Sequence, residues 1–396
     1  MFQRNQISGE ADSVIDTSDI SASGIDSSDV SSIVNVENEE TLHLQNKGHL
    51  NICYAILFFL TFAFSSAILY SNTMQKTLVE HLFSGLSIKI FGEDFYELDP
   101  SDLDRIEDIR TQMAALTSSN DSESQIPMKN VFNLKYSAVG GKKNRIRILV
   151  PYSSNEEDTG AKPVVVYFHS GGMFFGAIES EETQARTFAQ FSEFIVVVVE
   201  YRLAPEHQHP IGVKDALAGS VWVKNNIKKY GGDPNKISLV GQSSGGYLAI
   251  TSALQKPELF CSIIPVTPML DPTVNFPSMV AQPIGKSFAR KYWEMYLGPD
   301  LELKVANDYL ANPFLVEKKM SLLNKFPPTL LISVESDIYR DETESFAELL
   351  KHNTVEVETI RYNRTMHGFF AVGFPLPHGM AALEQTSLFI QKHCFD

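Results

Sequence analysis

Gly241-Gln-Ser243-Ser-Gly245 fits the pattern G-x-S-x-G and stands between an apolar β-branched run and a helical one. At such a junction a sharp strand-to-helix turn holds the serine hydroxyl at the end of the strand, and small flanking residues let the chain turn that tightly. A serine hydroxyl needs a base before it attacks a carbonyl. His367, in Met366-His-Gly-Phe369, is placed to be that base, and Asp337 to orient it. The chain order Ser243, Asp337, His367 is one known for a nucleophile, acid and base in acyl transfer. Glu335 and Asp341 are rival acids, Glu335 being nearer the strand and Asp341 suited to cap the helix that follows. An acyl-transfer site also needs donors for a developing oxyanion. His169-Ser-Gly-Gly172 follows a strand-like run and offers the amides of Gly171 and Gly172, with Ser244 N–H as a third donor. Ser244 as nucleophile would need glycine at 242, where glutamine stands.

The elements that must hold these residues can be read from pattern. Runs 163–168 and 195–200 are continuous and β-branched, as in strands buried on both faces of a parallel sheet. Residues 145–150 alternate like a strand, and 236–240, 262–266, 329–334 and 355–362 are further strand-like runs. Helical periodicity falls at 181–191, 212–230, 247–253, 342–350 and 380–393. Strands alternating with helices predict an α/β doubly wound sheet. Residues 272–326 interrupt the alternation and are expected to form a cap over the site.

The chain has 396 residues, 43% of them hydrophobic, enough for one large α/β core with additional segments. Its formal charge of −15 is uneven. Glu10, Asp12, Asp16, Asp19, Asp26, Asp29, Glu37, Glu39 and Glu40 face only Arg4 before residue 47. Residues 1–47 therefore read as an acidic disordered tail. No basic stripe appears, which argues against a nucleic-acid partner. Between Lys47 and Lys76 there is no charge, and the apolar run 51–70 is long enough to cross a bilayer as one helix. Residues 48–72 are thus expected to be a transmembrane anchor, 73–135 a linker and N-terminal cap segment, and 136–396 the catalytic domain. Lys47 on one side and Lys76 and Lys89 on the other barely bias the orientation. Sequons at Asn120 and Asn363 are compatible with a lumenal domain. Cys53, Cys261 and Cys394 have no metal-ligand spacing. The expectation is free or buried thiols, unless the fold brings Cys261 and Cys394 together. No metal or cofactor is expected.

His169-Ser-Gly-Gly172, Tyr201-Arg-Leu-Ala-Pro-Glu206, Gly241-Gln-Ser-Ser-Gly-Gly246, Asp337-Ile-Tyr-Arg-Asp-Glu342 and His367-Gly-Phe369 together resemble the hormone-sensitive-lipase family of α/β-hydrolases. Within that family the resemblance extends to the arylacetamide deacetylase and neutral cholesterol ester hydrolase group. It covers residues 136–396 and implies an α/β-hydrolase fold with a helical cap. It also implies a serine carboxylesterase or lipase working through an acyl-enzyme, without a cofactor. The anchor resembles that of the group's type II proteins of the endoplasmic reticulum, which implies a lumenal catalytic domain. Phe174, Phe175, Phe369 and Phe370 adjoin the catalytic segments and could line an apolar acyl pocket for lipophilic esters, or serve as plain core aromatics. Four positions depart from the family pattern. Ser170 replaces the first glycine of His-Gly-Gly-Gly, Gln242 and Ser244 replace residues of Gly-Asp-Ser-Ala-Gly-Gly, and Ile338 stands where proline is usual. A catalytically idle small-ligand receptor or scaffold of the same fold, and an acyltransferase using the same triad, are the alternative functions.

Overall fold

The computed structural model describes residues 98–117, 126–155, 160–371 and 377–395. The expected acidic tail, the transmembrane anchor, Cys53 and Asn120 lie outside the described residues. No helix among the described residues is long and apolar enough to cross a membrane.

Eight strands form one sheet: β1 (Asn130–Ser137), β2 (Lys143–Val150), β3 (Lys162–Phe168), β4 (Ile195–Val199), β5 (Gly232–Gln242), β6 (Ser262–Val266), β7 (Thr329–Ser336) and β8 (Val357–Met366). Their order is β1-β2-β4-β3-β5-β6-β7-β8. The pairs β1–β2 and β2–β4 are antiparallel, and every pair from β4 through β8 is parallel. The apolar runs read as doubly buried strands are just that: every residue of β4, and Pro163 to Phe168 of β3, is buried.

Helices cover both faces. On one lie α2 (Glu182–Ser192) and α9 (Pro377–Phe395), packed through Phe188, Leu383, Phe389 and Ile390. On the other lie α3 (Ile211–Asn226), α4 (Ser244–Gln255) and α8 (Arg340–His352), with Val213, Leu248, Ile250 and Phe346 in the core. Segment 272–326 is helical, comprising α5 (Pro277–Val280), α6 (Pro283–Leu297), α7 (Leu301–Asn307) and a 3-10 stretch from Pro313 to Leu322. It sits on the nucleophile side through Trp293 and Tyr296, whose rings lie 5.6 and 5.9 Å from Tyr247 of α4. A further helix, α1 (Leu103–Thr117), contributes Ile106 and Ile109 to a small apolar cluster with Phe174, Phe288 and Met295.

Two expectations change. The sheet begins at Asn130, inside the stretch read as linker and cap, because Phe132, Leu134 and Tyr136 alternate inward on an otherwise exposed edge strand. Cys261 and Cys394, read as free or buried thiols, form a disulfide with Cα atoms 5.4 Å apart. Cys261 stands just before β6, and Cys394 is in the last turn of α9, the helix packed across β5 and β6.

Candidate active site

In a parallel sheet the strands end at one edge, and the loops leaving that edge gather the functional side chains. β5 ends at Gln242, α4 begins at Ser244, and Ser243 lies between them with φ 57° and ψ −120°. A side-chain-bearing residue avoids this region, and holding one there costs roughly 1–3 kcal/mol. The turn is held by its neighbours. Ser243 N–H donates to Val266 O at 2.9 Å, and Ser243 O accepts from Tyr247 N at 3.1 Å. Gly245 must be glycine, since a Cβ there would stand 2.1 Å from Phe168 O. The turn leaves Ser243 6% exposed.

Asp337, one residue past β7, is 1% exposed. Its Oδ2 lies 3.0 Å from His367 Nδ1 and its Oδ1 accepts Tyr339 N–H at 2.9 Å. With a carboxylate at Nδ1, the imidazole proton stays on that nitrogen and the Nε2 lone pair is left as the base. Tyr339 also covers the imidazole, with ring centroids 5.1 Å apart. The rival acids are engaged elsewhere. Glu335 accepts Arg364 N–H at 2.9 Å, and Asp341 Oδ2 accepts Ser278 N–H at 2.7 Å. Asp341 therefore caps the first turn of α5, not its own helix as expected.

Behind the elbow, Gly171 and Gly172 follow β3 with φ 123° and 62°. A Cβ on Gly171 would be 2.0 Å from Phe175 O, and one on Gly172 would be 2.9 Å from the Tyr292 ring. The cap helix α6 thus closes directly onto the glycine loop. His169 is fully buried and stacks on Tyr201 at 4.3 Å. Burial pushes its pKa down, so its ring is neutral, and Nδ1–H donates to Ser170 O at 2.7 Å. Tyr201 hydroxyl donates to His169 O at 2.8 Å.

The four phenylalanines divide. Phe174 is buried under α1 and α6, and Phe175 is partly buried beside it, both next to the glycine loop. Phe369 and Phe370 pack with Val334, Leu383 and Ile390 in the core under α9, so they are core aromatics and not pocket walls. Asn363 is exposed and lines a cavity of about 870 Å³ with Phe276, Ser333, Glu344 and Arg361; no triad residue borders it.

Two contributors were given no supporting role by the sequence. Gln242, 1% exposed, accepts Ala371 N–H at 2.7 Å, fastening the segment after His367 to the elbow. Arg110 of α1 donates to Phe174 O at 2.9 Å and Ala204 O at 2.8 Å, and grips Glu206 with both terminal nitrogens. A lone arginine in a polar segment offers no pattern that would single it out.

This arrangement matches known proteins. Residues 165–371 fit the model of a family with the α/β-hydrolase fold. The chain belongs to that family. Carboxylesterase NlhH of Mycobacterium tuberculosis is 31% identical over 240 residues, covering 57% of this chain and 74% of the relative. An arylesterase of Saccharolobus solfataricus is 28% identical over 212 residues, covering 52% and 68%. Among solved structures, a hyperthermophilic esterase from Pyrobaculum calidifontis superposes with a TM-score of 0.64 at 28% identity, over 80% of this chain and 97% of that one. This chain is a serine carboxylesterase of that family, whose members are hormone-sensitive-lipase-like.

Proposed function

We propose that this chain, a serine carboxylesterase of its family, is a membrane-anchored member that hydrolyses lipophilic carboxylic esters through an acyl-enzyme on Ser243. Amides of similar shape fall within the same chemistry. The observation that carries the reading is Ser243 in a positive-φ elbow, at the same sheet edge as the pair formed by buried Asp337 and half-buried His367. Ser243 Oγ attacks the ester carbonyl while His367 Nε2 takes its proton. The amides of Gly171, Gly172 and Ser244 receive the oxyanion, each worth roughly 2.7–4 kcal/mol in the transition state. His367 then protonates the departing alkoxide, and water repeats the sequence on the acyl-enzyme.

Substrate lipophilicity is supported by the aromatic roof over the glycine loop, where Phe174, Phe175 and Tyr292 pack together. The kinship proposed within the family is with the arylacetamide deacetylase and neutral cholesterol ester hydrolase group. An anchor at residues 48–72 with a lumenal catalytic domain in the endoplasmic reticulum is supported by the Cys261–Cys394 disulfide, since such bonds persist in oxidising compartments. The sequons at Asn120 and Asn363 agree with that orientation.

The deciding experiment is fluorophosphonate labelling of the purified full chain and of Ser243→Ala, followed by p-nitrophenyl esters of increasing chain length. Labelling and turnover are expected to vanish in the variant. Retained labelling would move the nucleophile to Ser244. Protease protection in intact microsomes tests the topology, and digestion of the catalytic domain without detergent would refute it.

A further inference from the structure

Ser170 is the residue immediately before the two glycines assigned as oxyanion donors, at the position where the family pattern carries a glycine. Its side chain is not idle. Ser170 N–H donates to Glu181 Oε1 at 2.8 Å, and Ser170 Oγ–H donates to the same oxygen. The other oxygen, Oε2, accepts the Tyr167 hydroxyl at 2.5 Å. Tyr167 is fully buried on β3, and Glu181 is 6% exposed. One buried carboxylate therefore gathers donors from the penultimate residue of β3 and from the residue just before the two glycines.

The position of Glu181 is set by its neighbours. It closes a 3-10 turn, Ile178–Glu181, whose flanking acids point to β2. Glu179 pairs with Arg145 at 2.8 Å and Arg147 at 3.0 Å, and Glu182 pairs with Arg147. With both neighbours fixed to β2, Glu181 faces β3. The Ser170 carbonyl is held in turn by His169 Nδ1 at 2.7 Å. The peptide units on both sides of Ser170 are therefore fixed, and Gly171 N–H belongs to the second of them.

We infer that Ser170 and Glu181 are a positioning pair that sets the direction of the Gly171 and Gly172 amides toward the oxyanion. The inference rests on the ester-hydrolase reading. Neither residue touches the reacting atoms. They act by restricting a glycine loop that would otherwise sample other conformations, and preorganised donors are what make an oxyanion hole effective. A glycine at 170 could keep the amide contact to Glu181 but not the hydroxyl contact, and it would widen the conformational range of the loop.

The test uses Glu181→Gln, Ser170→Ala and the double variant in the full chain. Glutamine offers one acceptor and an amide donor where three donors converge. The measurements are kcat and KM on p-nitrophenyl butyrate, melting temperature, and the inhibition constant of a trifluoromethyl ketone. That ketone forms a tetrahedral adduct on the serine whose oxyanion occupies the same donors. Glu181→Gln is expected to lower kcat about tenfold, less than loss of a whole donor, with KM within about twofold. The ketone should weaken by the same factor as kcat falls. Ser170→Ala should lower kcat about threefold, and the double variant should be no worse than Glu181→Gln, because one interaction is being removed twice. Unchanged kcat and unchanged ketone binding in a folded Glu181→Gln would overturn the inference. So would a loss confined to KM and melting temperature, or additive losses in the double variant. If Glu181→Gln does not fold, Ser170→Ala decides by the same matched change. Absence of ester turnover in the wild-type chain would instead refute the esterase reading itself.

Discussion

Reducing or removing the Cys261–Cys394 disulfide should destabilise the hydrolase domain without dismantling its active site. The bond joins residues 133 apart in sequence, and in the chain-entropy treatment closing a loop of that size stabilises the fold by up to about 5 kcal/mol. Measured values usually fall below that bound, so about 2–4 kcal/mol is expected. For an ordered region of roughly 300 residues this is a fall in melting temperature of about 3–6 °C. The bridge fixes α9 to the start of β6, where Ser238 and Ser262 hydroxyls meet at 2.7 Å in the core beneath it. Ser243 lies five residues beyond Ser238, past the C-terminal end of β5, so kcat at 25 °C should change by less than about twofold while the domain is folded. The assay compares wild type, wild type with dithiothreitol, and the double variant Cys261→Ser/Cys394→Ser, reading melting temperature, urea midpoint and esterase turnover. The reduced wild type and the double variant should melt together, below the oxidised protein. If both cysteines of the oxidised protein react with a maleimide before unfolding, or if reduction leaves the melting temperature unchanged, the reasoning fails.

Asp337→Asn should keep the geometry and lower turnover by about 10⁴, because the imidazole loses the partner that fixes its tautomer. Asp341→Asn should cost about 1 kcal/mol of stability and little turnover, since asparagine can still accept Ser278 N–H. If Asp341→Asn loses turnover at an unchanged melting temperature while Asp337→Asn stays active, the acid has been misassigned. Arg110→Ala should cost about 2–3 kcal/mol by leaving Glu206 and two carbonyls without their donor, and should raise KM more than it lowers kcat. The Arg110 hydrogen bonds hold the Glu206 pKa below the usual carboxylate value, so this contribution is present above the ordinary carboxylate range and is lost as pH falls through the lowered value. Acid titration of α1 detachment, followed by protease sensitivity near residue 117, should therefore show a low-pH step that Arg110→Ala lacks.

Those parts of the fold and site that depend on local pattern were legible in the sequence. β3 and β4 are apolar throughout because both faces are covered, and such runs can be read without knowing their neighbours. The elbow was legible because its small residues answer a local steric demand, seen in the 2.1 Å approach of a Cβ at Gly245 to Phe168 O. Features created by pairing across the chain were not. Nothing in the segments around Cys261 and Cys394 announces a bond over 133 residues. Glu181 is one of three glutamates close together, and which one faces Tyr167 and Ser170 depends on where Arg145 and Arg147 stand. Phe369 follows the catalytic histidine closely, yet the chain reverses at Gly368, φ 89°, and carries the aromatics under α9.

Each of three departures from the family pattern has a partner of its own. Ser170 answers Glu181; Gln242 answers the amide of Ala371; Ile338 packs against Gly285 of α6, where a Cβ would come within 2.6 Å of the Ile338 side chain. The parallel sheet explains why such changes can accumulate separately. Gly171, Ser243, Asp337 and His367 follow β3, β5, β7 and β8, so the register of those strands brings them to one edge regardless of what each loop contains. A loop is then free to exchange a glycine, an aspartate or a proline for another residue if a nearby element supplies the compensating contact. Gln242 shows the consequence most directly. In place of a carboxylate beside the nucleophile, this chain carries a neutral amide that ties the backbone just after His367 to the nucleophile turn, so base and nucleophile share one hydrogen-bonded support.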